Sequence, residues 1–244
     1  MSNSRSSPNV FLSLLAIIIV AGLTALGFWQ LQRADEKRAL FKQFSDGADY
    51  SISLQALLQL PITAEAKRYR QVSVIGYWQT SGNIVLDNMS HDGAPGYQVM
   101  SPLCCVADKL VMINRGWIPW RDRSDAFNDV ALKQSRPQKI SGRWVSLPKP
   151  GLRLSGDSKL SPAMDKTTTI LSFPTADQIA QTVGKPVHDG MLWLDPDQAE
   201  GFVRDWQVSA MPPERHVGYA VQWFALALTL IVIYIILVFR KRKY

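Results

Sequence analysis

The stretch VFLSLLAIIIVAGLTALGF at residues 10–28 decides the architecture of this chain. No charged residue lies between Arg5 and Arg33, and a second uncharged run, VGYAVQWFALALTLIVIYIILVF, fills residues 217–239. As a helix the second run is roughly 34 Å long, enough to cross a hydrocarbon core of about 30 Å. Soluble core helices of this length carry charges on one face. The sequence therefore predicts two membrane spans, one near each end.

The first span is predicted to be an uncleaved anchor in a bacterial inner membrane. It is too long for the apolar part of a signal peptide, and it continues into GFWQLQR at residues 27–33 instead of a small-residue cleavage site. The arm at residues 1–9 is too short for a mitochondrial transit peptide.

The charges indicate an orientation. The net charge of +7 divides into +1 from Arg5, +4 from residues 240–243 and +2 from the long middle segment. The basic tail favours a cytoplasmic C-terminus, and long loops cross the membrane largely regardless of basic residues such as Arg33. The expected organisation is a cytoplasmic arm (1–9), a first transmembrane helix (10–31), a periplasmic β-rich domain (32–213), a second transmembrane helix (214–239) and a basic cytoplasmic tail (240–244).

Short segments with a period of two follow one another in the middle domain and predict strands. They are RYRQVSVIGYW (68–78, ending near Gly76), NIVLDN (83–88), GYQVMSPL (96–103), KLVMINRGWIP (109–119), RPQKISGRWV (136–145) and MLWLD (191–195). Gly, Pro, Asn and Asp turns join them, which is typical of an antiparallel barrel or curled sheet. The segment between Trp144 and Thr169 is predicted to be a loop.

Three helical segments are expected beside these strands. A charged helical stretch covers residues 34–44, and Ser53 caps a short helix that stops before Pro61. Thr175 and Gln178 form a capping box for a helix that ends at Gly184. The predicted fold class is membrane α+β: two transmembrane helices flank a mainly antiparallel, barrel-like periplasmic β domain with short helices.

Catalytic patterns are missing from the sequence, so an enzyme is not expected. It has three histidines, of which His91 and His188 lie among loop-forming residues, and it contains no Gly-x-Ser-x-Gly elbow, phosphate loop or dinucleotide fingerprint. Cys104 and Cys105 are adjacent, so they exclude a disulfide scaffold and a Cys-x-x-x-Cys copper site, and they are expected to pack in or beside a strand. The scattered charges of the middle domain do not indicate a nucleic-acid partner.

The unusual residues lie where the two spans meet the periplasmic side. His216, Tyr219 and Trp223 share one side of the second helix because they are spaced by three and four residues. An aromatic belt at the membrane surface explains Trp29, Tyr219 and Trp223. It does not explain Gln222, because an amide inside a span needs a polar partner. A pocket between the helix ends, with His216 as a haem ligand, is the alternative interpretation.

Four motifs resemble those of a known family. They are LGFWQLQRADEK (26–37), GYQVMSPL (96–103), VMINRGWIP (111–119) and ERHVGYAVQWFALA (214–227). In this order, and with two spans, the chain resembles the surfeit-locus-one (Surf-one) family of cytochrome c oxidase assembly factors. The resemblance implies an assembly factor for a haem-copper terminal oxidase that binds haem A between the two helices and aids its insertion into the catalytic subunit.

The resemblance also implies site residues and partners. His216 would ligate the haem iron, and the pocket walls would be Trp29, Gln30, Tyr219, Gln222 and Trp223. Residues with a structural or haem-propionate-pairing role would be Arg33, Asn114, Arg115, Gly116 and Trp117, with a structural hydrogen bond at a strand end as the alternative for Arg115. The expected partners are the oxidase catalytic subunit, haem A synthase and the lipid bilayer.

One further hypothesis stays open at this stage: a structural chaperone that stabilises an oxidase subunit without binding haem. Two others are disfavoured. A periplasmic sensor would need an output module, which the tail does not carry, and a copper chaperone would need a copper-binding cysteine pair, which is absent.

Overall fold

A computed structural model of the chain describes residues 10–120, 130, 132, 136–149, 168–208 and 210–241, except for the side chains of Asn88 and Lys241. The helices are α1 (Val10–Asp46), α2 (Leu54–Gln59), α3 (Ala64–Lys67), α4 (Ala176–Val183) and α5 (Pro213–Lys241). The strands are β1 (Ile52–Ser53), β2 (Gln71–Trp78), β3 (Asn83–His91), β4 (Ala94–Val106), β5 (Lys109–Pro119), β6 (Gln138–Val145), β7 (Thr168–Leu171) and β8 (Val187–Leu194). The predicted arm at 1–9, most of the loop between Trp144 and Thr169, and the end of the basic tail lie outside the described residues.

The chain divides into two compact units. The sheet unit is Gln43–Gln207, and the helix unit consists of the residues before and after it. The apolar windows of α1 and α5 have mean hydropathies of 2.6 and 2.5, and only 6% of each window is buried. Both helices are long and apolar enough to cross a membrane. The predicted charged stretch at 34–44 continues α1 without a break, and the boundaries of the spans stay predictions.

The two helices of the helix unit pack along a seven-residue repeat. On α1 the less exposed positions include Ser13, Ala16, Val20, Leu23, Gly27, Gln30 and Ala34. On α5 they include Pro213, His216, Ala220, Trp223, Ala227, Leu230 and Tyr234. Both sets alternate steps of three and four residues, which is the spacing of closely packed, nearly aligned helix pairs. The helices are antiparallel, because Ser13 near the start of α1 meets Tyr234 near the end of α5. The Ser13 Oγ and the Tyr234 hydroxyl oxygen are 2.6 Å apart.

Small residues bring the two helices close together. A Cβ atom on Gly27 would lie 2.5 Å from the ring of Phe224. The rings of Phe28 and Phe224 pack edge to face at 5.3 Å, and Ala34 and Ala220 are buried in the same interface. Without a hydrophobic driving force inside a bilayer, such close backbone approach is the main source of helix pairing.

The sheet unit is built on a closed ring of strands. The strand order is β1-β2-β6-β8-β5-β4-β3-β7, and β2 also pairs with β4. This pairing, Tyr77 with Cys104 and Trp78 with Leu103, closes β2, β6, β8, β5 and β4 into a barrel. Most pairs are antiparallel; β1–β2, β5–β8 and β3–β7 are parallel. The predicted barrel-like, mainly antiparallel fold is confirmed.

Alternating side chains of these strands form the core. The main cluster includes Trp78, Leu103, Ile113, Trp144 and Leu192, all nearly inaccessible to solvent. Helix α2 adds two buried leucines to this cluster. Each fully buried side chain of this size stabilises the fold by about 1.5–3 kcal/mol relative to exposure, so the barrel interior provides most of the stability of the sheet unit.

The predicted elements are confirmed with small shifts. All six predicted strands form, and β2 ends at Trp78 instead of near Gly76. The caps form as well: Ser53 Oγ accepts a hydrogen bond from the Ala56 amide, and the capping box of α4 is complete. Gly184 ends α4 with a φ of 72°. Strands β1 and β7 were not predicted, because segments of two and four residues are too short to show a period.

One local expectation is wrong. His91 and His188 were placed in solvated loops, but His91 ends β3 and His188 lies in β8, where its Nε2 is 2.9 Å from the Val106 carbonyl. Burial lowers the pKa of the His188 imidazole. Cys104 and Cys105 lie in β4, as expected.

Aromatic rings from the beginning and the end of the sheet unit contact one another. Phe44, from the last turns of α1, packs edge to face on Tyr69 at 5.1 Å. Tyr69 contacts Trp193 of β8, which stacks on Trp206 at 4.8 Å. The guanidinium of Arg143 lies 4.0 Å from the centre of the Phe44 ring and donates to the Phe44 carbonyl. A continuous series of ring contacts therefore connects the first residues of the sheet unit to its last residues.

The end of β5 lies against the segment at residues 202–204. Trp117 donates its amide hydrogen to the Val203 carbonyl at 2.7 Å, and the Val203 amide donates back at 3.2 Å. Gly116 has a φ of +116°, and a Cβ atom there would be 2.5 Å from the Val203 carbonyl oxygen. Only glycine combines this backbone conformation with so close an approach.

Gly116→Ala is expected to destabilise the protein by about 1–3 kcal/mol, because the methyl group adds backbone strain and displaces Val203. The measurement is the free energy of unfolding of the full chain in detergent, followed by tryptophan fluorescence. Gly93→Ala is the matched control, since Gly93 has a φ of +77° but open space around it. An equal loss in both variants would contradict the role given to the close approach.

Gly27→Val is expected to weaken the α1–α5 pairing, because the added side chain overlaps the Phe224 ring. Overpacking of this kind costs about 1–3 kcal/mol. Equilibrium unfolding of the full chain in mixed micelles measures the loss. Gly22→Val changes the same residue type on the same helix, at a position with nothing within 4 Å, and should leave stability nearly unchanged. A similar loss in both variants would show that Gly27 is not a packing residue.

Candidate functional site

His216 lies in the second turn of α5 and faces α1. Pro213 begins the helix, a position that suits proline because the first helical amide has no partner within the helix. The imidazole Nδ1 of His216 is 2.8 Å from Oε1 of Gln30 on α1. The other ring nitrogen, Nε2, is buried and has no hydrogen-bond partner among the residues that the structure describes. The imidazole is therefore held at Nδ1, and its buried Nε2 is uncommitted.

The structure brings together some of the predicted pocket residues. Gln30, His216 and Trp223 are half-buried on the facing sides of the two helices. Tyr219 lies at the edge of this face, 43% exposed and three residues from His216. We call Gln30, Arg33, His216, Tyr219 and Trp223 the histidine flank of the helix pair.

Trp29 and Gln222 are not part of the histidine flank. Trp29 is 50% exposed, and its contact in this region is the guanidinium of Arg33. Gln222 is exposed, and at six residues from His216 it points away from α1. Both side chains are therefore exposed to the surroundings of the helix pair.

Arg33 supplies a positive charge one turn after Gln30. Its Nη1 is 2.6 Å from a Glu36 carboxylate oxygen, and both side chains are nearly half exposed. The guanidinium also lies 5.9 Å from the centre of the Trp29 ring. An exposed ion pair of this type is weak, so Arg33 can exchange Glu36 for another anion at little cost.

Arg115 and Asn114 are committed inside the sheet unit. The Arg115 side chain is about 3% exposed, and it donates to the carbonyls of Glu200 at 2.6 Å and Val130 at 2.7 Å and to Ser101 Oγ at 3.2 Å. Burial lowers the pKa of Arg115 to about 10, and the Glu200 carboxylate opposes the shift, so the group stays charged at neutral pH.

The neighbouring Asn114 is fully buried. Its amide nitrogen donates to Gln98 Oε1 at 2.8 Å, and its oxygen accepts from the Gly116 amide at 3.1 Å. Together with the backbone pairing of Trp117, these contacts favour the structural alternative for the whole Asn-Arg-Gly-Trp segment.

The buried Nε2 of His216 is free to act as an acceptor when Nδ1 carries the ring proton. In a neutral imidazole one nitrogen donates and the other accepts, so a donor Nδ1 leaves a lone pair on Nε2. Among the described residues no group of three or more His, Cys, Asp or Glu side chains could hold a metal ion.

Sequence reasoning identified His216 and Gln30 but missed that they bond to each other. It placed Gln30 among the pocket walls, whereas the structure makes it the direct partner of the imidazole. The repeat of three and four residues from Ser13 to Ala34, continued on α5, was the available signal. It would have placed Gln30 and His216 in the same interface.

Comparison with known proteins agrees with this architecture. The SURF1 family model matches residues 17–228, from the first apolar helix to the second. A SURF1-like protein of Rickettsia felis is 27% identical over 244 residues, covering 92% of this chain and 95% of that protein. A SURF1-like protein of Rickettsia conorii is 28% identical over 248 residues, covering 93% and 90%. Because the family match spans most of its length, the chain belongs to the SURF1 family.

Proposed function

We propose that this chain assists the assembly of a haem-copper terminal oxidase by holding haem A on the histidine flank and helping to insert it into the catalytic subunit. Membership of the SURF1 family supports the assembly role. The observation that carries the haem proposal is the buried Nε2 of His216, which has no partner in the described part of the chain.

The residues present fit a haem. Imidazole is a common axial ligand of haem iron, and the macrocycle supplies the remaining equatorial ligands. When bound, the haem would contribute an iron that accepts the His216 nitrogen. Tyr219 and Trp223 follow His216 on the same side of α5, so their rings would pack against the macrocycle.

Arg33 is the proposed partner of a haem propionate. It belongs to the same helix unit as His216, and its present contact is an exposed ion pair. Arg115 is less suited to this role, because three hydrogen bonds already engage its guanidinium inside the sheet unit. Arginine matches a carboxylate in shape and charge.

The outward residues are the proposed contact with partners in the membrane. An amide exposed to hydrocarbon is costly, so Gln222 should hydrogen-bond to a helix of the oxidase catalytic subunit or of haem A synthase. Trp29 would lie at the membrane surface beside it. The proposed location is a bacterial inner membrane with both termini in the cytoplasm and the sheet unit in the periplasm. Reporter fusions at the C-terminus test this orientation, and periplasmic reporter activity would contradict it.

His216→Ala is expected to abolish haem binding, because no other nitrogen replaces the axial ligand. The measurement is the absorption spectrum of the full chain purified from cells that make haem A, together with oxidase activity in their membranes. His91→Ala is the control and should keep the haem bands. A wild-type protein without haem, or full oxidase assembly with His216→Ala, would contradict the proposal and favour a structural chaperone that does not bind haem.

Arg33→Leu is expected to weaken haem binding about two- to fivefold, the value of one exposed ion pair. Haemin titration of the purified full chain measures the change. Arg38→Leu is a close control, since Arg38 is also exposed on α1 and pairs with Asp35 at 2.6 Å. Equal affinities of the two variants would remove Arg33 from the site.

A further inference from the structure

We infer that Gln30 is a positioning residue: by accepting a hydrogen bond from Nδ1 of His216, it holds the imidazole in the tautomer whose Nε2 lone pair is free for a metal. The inference rests on the proposed function, since it gives Gln30 a role toward the haem. It assigns to Gln30 a task different from that of a pocket wall.

The hydrogen bond sets the tautomer. The Gln30 amide oxygen lies 2.8 Å from Nδ1, and a carbonyl oxygen can only accept. With the amide in this orientation, the proton of the neutral imidazole is on Nδ1. Nε2 consequently carries the lone pair, and it has no donor near it among the described residues. A buried acceptor without a donor is unfavourable by itself, which is expected of a position that a ligand completes.

The packing of the helix pair fixes the geometry of this bond. Gln30 follows Gly27 by three residues and precedes Ala34 by four, on the face of α1 that meets α5. Because Gly27 and Ala34 are buried and small, the helices approach closely enough for two side chains to bond directly. The partners come from different helices, 186 residues apart in sequence. The imidazole orientation therefore depends on the helix pairing and not on α5 alone.

Such a partner also affects the strength of the metal bond. A histidine ligand usually donates its second N–H to an oxygen, which fixes the ring and raises the basicity of the ligating nitrogen. Removing partners of this kind typically lowers metal affinity by about 10- to 100-fold. Gln30 satisfies this requirement with an amide oxygen, which keeps the site neutral in the apolar surroundings of the helix pair.

The first test reads the tautomer in the haem-free full chain. The protein has only three histidines, so nitrogen NMR of histidine-labelled protein in nanodiscs, above pH 8, gives few signals, and His216→Ala identifies those of His216. Protonated and unprotonated imidazole nitrogens have well-separated shifts. We expect a protonated Nδ1 in the wild type and in Gln30→Glu, whose carboxylate also accepts, and a loss of this preference in Gln30→Leu. Gln32→Leu, at an exposed position of α1, should match the wild type.

A protonated Nε2 in the wild type would overturn the inference without any variant, so it stays testable even if Gln30→Leu does not fold. An unchanged tautomer in folded Gln30→Leu would overturn it as well. Far-UV circular dichroism monitors folding of each variant.

The second test is haemin titration of the same proteins. We expect the affinity of Gln30→Leu to fall about 10- to 100-fold, and Gln30→Glu and Gln32→Leu to remain close to the wild type. Equal affinity of Gln30→Leu and wild type would overturn the positioning role. If the wild type shows the protonated Nδ1 but binds no haem, neither as haemin nor from haem A-producing cells, the proposed function fails and the tautomer assignment holds.

Discussion

The close packing of α1 against α5 is the interaction on which the candidate site depends. Two apolar helices in a bilayer gain little from burying each other's surface, so they need small residues and polar contacts to stay paired. Gly27 and Ala220 provide the close approach. The Ser13–Tyr234 and Gln30–His216 contacts lie toward opposite ends of the pair and fix its register. Without this register, Gln30 and His216 would each expose a polar side chain to an apolar environment.

In the sheet unit the candidate residues Asn114 and Arg115 are bonded to internal partners. The pairing of β2 with β4 closes five strands into a barrel. Within this barrel β5 pairs with both β4 and β8. Its Asn-Arg-Gly-Trp end reads from sequence as a group of functional residues. In the structure Arg115 and Asn114 are buried and bonded to carbonyl, hydroxyl and amide groups of the same unit. A buried guanidinium with such partners stabilises a particular fold of the loop at 200–203 and has little capacity left for a ligand.

The candidate side chains of the two units differ in whether they have internal hydrogen-bond partners. In the sheet unit the candidate side chains are engaged by internal partners. In the helix unit Arg33 has an exposed ion pair and an exposed ring contact, Gln222 is exposed, and Nε2 of His216 is buried without a partner in the described residues. Groups that are costly to leave unpaired indicate where a ligand or a partner belongs. The proposed haem site on the histidine flank follows from this contrast, and so does the choice of Arg33 over Arg115 as its positive charge.

The sequence by itself determined the two apolar helices, because length and lack of charge are local properties, and it determined six strands and the caps of α2 and α4, which depend on near neighbours. It also singled out His216 by its unusual position. It did not determine β1 and β7, whose few residues pair only with distant strands, or the internal partners of Arg115. Only the tertiary structure decided that Gln30 meets His216 and that Trp29 and Gln222 stay exposed. The physical reason is that hydrogen bonds between residues far apart in sequence depend on the register of packed helices, which no local pattern specifies.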